Sequence, residues 1–288
     1  MNQLKKLPKS LTTIALVFVI AFAWSLLSDI IPFLMGLFGT LKDEANIPQS
    51  FDLLFLFGEA IGIIGMVIYY RGDRDILPFA KDHAARNYSL GLLFGFMMFS
   101  LIWGIITLFG GYQVLVIFQG SNLLWLVLFF IGYAIQSMFE ELLCRGYVMG
   151  YWLKQNKVIM AVLLNAILFT LLHMANPGFN LPAAIGLFLF AIAMSQFRLL
   201  TGSIWLCGAF HAIWNFAEGP IFGVSVSGLS GESFILKSLP TTTFQPLTGG
   251  TFGLEASTVS AIVHLLLVIL LAIIILKKQR TGLTISEN

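Results

Sequence analysis

The sequence predicts an all-α, polytopic membrane protein with about eight transmembrane helices, its functional core in helices 4 to 7. Three observations support this. The 288 residues are 58% hydrophobic and 10% charged, with a mean hydropathy of +0.91, far outside the soluble range. Apolar runs long enough to span a bilayer recur near 11–38, 51–70, 88–110, 122–152, 158–175, 181–197, 203–222 and 258–276. Basic residues cluster between those runs, as membrane orientation requires.

The first run follows Lys5, Lys6 and Lys9 and contains the small-x-small triplet Ala21-Phe22-Ala23. It is much longer than the apolar core of a signal peptide, so it is expected to be a retained helix. The second and third runs flank Arg71, Arg74, Lys81 and Arg86; the fourth and fifth flank Lys154 and Lys157; the sixth and seventh flank Arg198. The eighth ends at Lys277, Lys278 and Arg280. With the amino terminus inside, 13 of the 16 Lys and Arg residues face the cytoplasm, Lys42 and Lys237 face outward and Arg145 stays in the membrane. An even helix count with both termini cytoplasmic preserves this alternation, and the plasma membrane is the expected location. The Gly-, Ser-, Thr- and Pro-rich connection over 224–257 is expected to be an irregular outer loop, a candidate flexible cover. The chain divides accordingly into helices 1 to 3 (1–121), a core (122–222), and the outer loop with helix 8 and tail (223–288).

Composition also limits the function. A net charge of +2 carried in short clusters gives no basis for nucleic-acid binding, and the expected partner is the lipid bilayer. Cys144 and Cys207 lie in apolar runs without paired spacing, so they are expected to be reduced packing residues.

The fourth run holds Glu140, Glu141 and Arg145. Each charge at membrane depth costs about 2.5–3.5 kcal/mol on insertion scales, so the group requires an explanation. On a helix Glu141 and Arg145 are four apart and can pair, while Glu140 points about 100° away. That leaves Glu140 able to act as a general base. The alternative is one buried network that orders the helix. The fifth run carries Phe169 and His173, four apart, and ends at Asn176-Pro177; the seventh carries His211 and Asn215, again four apart. At about 1.5 Å per residue, Glu140 and His173 reach comparable heights above their shared turn, and His211 and Asn215 can meet them. A carboxylate and a histidine can deprotonate water, while a second histidine and an amide can stabilise the oxyanion formed when water adds to a carbonyl. Two histidines and a carboxylate are also a metal set, which would comprise Glu140, His173 and His211 and take zinc or iron.

Asp29, Glu59 and His264 are expected to be a buried pair, cavity residues or helix-end groups, and Glu218, just before Pro220, to be interfacial. Trp24, Trp103, Trp125, Trp152 and Trp205 fit an aromatic belt.

The three patterns, Glu-Glu-x-x-x-Arg, Phe-x-x-x-His and His-x-x-x-Asn on successive core helices, resemble the CPBP or Abi family of intramembrane proteases, which includes the type II CAAX prenyl endopeptidases. The resemblance covers about residues 122–222. It implies that Glu140 and His173 activate water, that His211 and Asn215 form the oxyanion site, and that Glu141, Arg145 and Phe169 are supporting. It implies a glutamate protease without a metal, zinc being the alternative, acting on a membrane-associated or prenylated protein or peptide. Competing readings are a non-catalytic scaffold or bacteriocin-immunity protein of the same fold, and an ion-coupled transporter using Asp29, Glu59 and Glu140. The transporter reading lacks an internal repeat and leaves His211 and Asn215 unexplained.

Overall fold

The computed structural model describes residues 9–31, 34 and 49–280 of the chain. Lys5, Lys6 and Lys42, used above to orient the helices, lie outside the described residues, as does the end of the first apolar run.

The chain is mostly helical. In order come α1 (Lys9–Ser28), α2 (Gln49–Gly58), α3 (Ala60–Tyr69), α4 (Ala84–Leu108), β1 (Tyr112–Val116) and α5 (Leu123–Glu141). A π-helical stretch, Leu142–Val148, joins α5 to α6 (Met149–Leu153). Then follow α7 (Val158–Leu172), α8 (Leu181–Thr201), α9 (Trp205–Phe216) with a second π stretch at Ala217–Ile221, β2 (Leu236–Pro240), α10 (Gln245–Thr248) and α11 (Thr258–Arg280).

Among the described residues six helices are long and apolar enough to cross a membrane, not eight. They are α1, α2 with α3, α4, α5 continued through α6, α8 and α11. The two that fall short carry the histidines. Helix α7 has 15 residues, about 22 Å, and α9 has 12, continued by the five-residue π stretch. Helix α9 is apolar because protein surrounds it, with ten of its residues buried. Hydropathy does not distinguish that environment from lipid.

The 224–257 connection, named the outer segment after its expected side, is irregular over much of its length but carries a strand and packs against the helices. Strand β2 pairs antiparallel with β1, from Tyr112 opposite Pro240 to Val116 opposite Leu236, so the fold is not purely α. Trp103 Nε1 donates to Ser238 Oγ at 3.0 Å and Tyr112 Oη to the Thr248 carbonyl at 3.2 Å, fastening the segment to α4 and β1. Its Val226, Phe234, Phe252, Leu254 and Ala256 are buried against the bundle.

Helices α4 and α9 approach through Gly91 and Gly95. A Cβ on Gly91 would lie 2.3 Å from the Leu206 carbonyl oxygen, and one on Gly95 would lie 2.7 Å from that of Phe210. This Gly-x-x-x-Gly pair lets the backbones touch, as small residues do between membrane helices. It thereby sets the position of α9, which carries His211 and Asn215.

Two smaller expectations are corrected. Glu218 is not interfacial: it is fully buried on the second π stretch, where α9 meets the outer segment, and no hydrogen-bond partner reaches its carboxylate oxygens among the described residues. Trp152 is buried rather than part of a belt, because α6 packs under α7. Cys144 and Cys207 are free and buried, as packing residues would be.

Candidate active site

Glu140 and Glu141 close α5 just before the π stretch. Wider turns of this kind interrupt helices most often at functional sites, where they re-aim side chains. Glu141 and Arg145 meet across the junction, Arg145 Nη1 donating to Glu141 Oε1 at 3.0 Å with both side chains fully buried. Glu141 has a second partner that helical phase alone does not reveal. The same Oε1 accepts from His211 Nδ1 at 3.1 Å.

That bond decides the state of His211. A carboxylate facing Arg145 only accepts, so Nδ1 carries a proton, and Nε2 on the other side of the ring is bare in the neutral form and a donor in the charged one. Nε2 lies 3.8 Å from Glu140 Oε2. Glu140, in turn, accepts at Oε1 from Gln136 Nε2, one turn earlier on α5. Gln136 Oε1 accepts from Asn215 Nδ2 at 3.1 Å. The four-residue spacing of Gln136 and Glu140 was a signal available in the sequence, but an amide next to a charged cluster did not stand out.

His173 terminates α7 instead of lying within it. Its Nδ1 is 2.8 Å from the Phe169 carbonyl oxygen, one of the carbonyls that a helix end leaves free. A carbonyl cannot donate, so Nδ1 carries the proton and Nε2 is the basic nitrogen. Pro177, four residues on, prevents the helix from continuing. The Phe169 ring is in contact with three site residues: its centroid is 4.7 Å from that of His173 and 5.7 Å from that of His211, and the Arg145 guanidinium carbon sits 4.7 Å above it.

Glu140, His173 and Asn215 line one cavity of about 450 Å³, with His211 directly behind Glu140. Glu141, Arg145 and Phe169 lie outside the cavity lining and support it from the protein side. The cavity also receives Asp29 from the end of α1, Asp52 from α2 and Glu59 from the break between α2 and α3. Apolar walls come from Phe55, Leu56 and Phe139, and the outer segment adds Val226, Ser227, Leu229, Ser230 and Gly231. Ser227 and Glu255 of that segment had no sequence signal, because polar residues in a polar loop are unremarkable.

Asp29 and Glu59 are thus cavity residues, one of the roles anticipated for them. His264 is buried on α11, its Nδ1 3.0 Å from the Ser260 carbonyl oxygen, and it packs against Phe190 and Trp214 away from the cavity lining. Among the described residues no three His, Cys, Asp or Glu side chains are arranged to hold a metal ion, so Glu140, His173 and His211 as they stand do not form such a set.

Residues 119–217, about a third of the chain, match the family model described as Type II CAAX prenyl endopeptidase Rce1-like. No curated protein and no solved structure matches the chain.

Proposed function

Since residues 119–217 are a domain of the CPBP or CAAX protease family, carried by an integral membrane protein, we propose that the chain is an intramembrane endopeptidase. It cleaves a membrane-associated or lipidated protein or peptide by direct attack of water. One observation carries this reading: Glu140, His173 and Asn215 line a single cavity, and His173, fastened through Nδ1, keeps Nε2 for a water there.

In the proposed reaction a water between Glu140 and His173 loses a proton to one of them as its oxygen attacks the carbonyl carbon of the scissile bond. The negative charge passes to the carbonyl oxygen. Asn215 keeps one amide hydrogen bonded to Gln136 and has the other for that oxygen. His211 donates only when protonated, since its neutral form carries its hydrogen on the Glu141 side. We assign it as an imidazolium donor whose charge Glu141 stabilises. As the carbonyl re-forms and the carbon–nitrogen bond breaks, the captured proton passes to the leaving amine, and Glu140 and His173 return to their starting states.

We propose no metal. No three-ligand set forms among the described residues. We also propose a plasma-membrane location with both termini cytoplasmic, supported by the distribution of Lys and Arg between the apolar runs.

The test compares membrane peptides in cells carrying the wild type and Glu140→Gln. The mutant should accumulate uncleaved membrane peptides while its chain reaches the membrane at normal level; identical peptide profiles would overturn the reading.

A further inference from the structure

Glu255 has no role in the reaction above, yet it is buried, only 7% exposed, near the end of the outer segment on a short turn just before α11. Its two oxygens are engaged by different elements. Oε1 accepts from Trp214 Nε1 at 3.1 Å, and Trp214 lies between His211 and Asn215 on α9. Oε2 accepts from Ser227 Oγ at 2.5 Å, and Ser227 lines the cavity.

Ser227 connects further. Its carbonyl accepts from Asn176 Nδ2 at 2.8 Å, and the Asn176 N–H donates to the His173 carbonyl at 3.1 Å. Ser227 also holds φ at 46°, a left-handed conformation that a residue with a Cβ adopts at some cost. A serine at such a position, where glycine would fit without cost, points to a use for its hydroxyl.

On the reading that this cavity is a protease site, we propose that Glu255 is a positioning residue. Its one carboxylate ties the cover segment to the helix bearing His211 and Asn215 and, through Ser227 and Asn176, to the turn bearing His173. The two halves of the site belong to helices that are separate in sequence, and this chain of bonds joins them from the outer side. Glu255 is also near enough to His173 and His211 for its charge to act on both.

The experiment uses the full chain in phosphatidylcholine vesicles and, as probe, a synthetic copy of a membrane peptide that accumulates with Glu140→Gln. Ser227→Gly removes the hydroxyl while relieving the left-handed backbone, Glu255→Gln removes the charge at constant size, and Trp214→Phe removes the indole donor. Ser227→Gly should melt no lower than the wild type, yet lose on the order of tenfold in kcat with KM within about twofold, because misplaced groups slow chemistry without weakening binding. Combining Ser227→Gly with Glu255→Gln should lower kcat little further than the worse single change, as expected for two ends of one bond. Wild-type kcat in a stable Ser227→Gly protein would overturn the proposal. An inactive Glu140→Gln control in the same experiment would leave the protease reading intact, whereas an active one would overturn both. Should Glu255→Gln fail to fold, Ser227→Gly and Trp214→Phe decide the question alone.

Discussion

Glu141 Oε1 lies 3.1 Å from His211 Nδ1 and 3.0 Å from Arg145 Nη1, so one oxygen serves both a buried cation and a ring of the candidate site. The adjacent acids on α5 therefore divide the work. Glu140 faces the cavity, and Glu141 orients the histidine behind it.

Glu141→Gln should accordingly damage both stability and activity. It leaves the fully buried Arg145 without a counter-charge, a change that costs about 3–5 kcal/mol when a buried pair is broken. Material that still folds should show kcat reduced at least about tenfold, because an amide in place of the carboxylate weakens the bond that orients the His211 ring. Circular dichroism and a cleavage assay on the same preparation measure the two effects; full activity in folded Glu141→Gln would remove His211 from the oxyanion role.

Phe169→Leu should act on both histidines at once. The substitution nearly conserves volume, so packing should cost less than about 1.5 kcal/mol, with about 0.5–2 kcal/mol more for the lost face beneath Arg145. Cleavage should fall by about tenfold with a modest drop in melting temperature. An unchanged rate would show that the ring contacts at 4.7 and 5.7 Å position nothing.

Gly95→Val tests the contact that sets α9. The new side chain would meet the Ile213 Cγ2 and Phe210 carbonyl at 2.5 and 2.7 Å, so α4 and α9 must separate. Overpacking of this kind costs about 1–3 kcal/mol. Gly104, whose Cβ would meet nothing within 4 Å, is the control, and Gly104→Val should melt close to the wild type. Equal melting temperatures for the two variants would contradict the close approach.

Exhaustive chelation should leave cleavage undiminished, and metal analysis of the purified protein should find well under one zinc per chain. Activity lost to a chelator and restored by a stoichiometric metal would instead assign Glu140, His173 and His211 as ligands.

The four-residue spacings were legible because helix geometry is local. Glu141 with Arg145, Phe169 with His173 and His211 with Asn215 must share faces wherever the helices lie, and the expense of charge among apolar residues made the motifs stand out. The membrane class followed from composition, since 58% hydrophobic residues cannot be hidden inside a soluble domain of this length. Tertiary packing decided the remainder. Apolar runs look alike whether lipid or protein covers them, so α7 and α9 were expected to span, and both are shorter than the six helices long enough to do so. Likewise, no local pattern links Gln136 to Asn215, Glu141 to His211, or Glu255 to Trp214 and Ser227. These partners lie 79, 70, 41 and 28 residues apart and meet only because α5, α9 and the outer segment close around one cavity. Hydrogen bonds between distant residues form wherever folding leaves buried polar groups to be satisfied, and that requirement is expressed only in three dimensions.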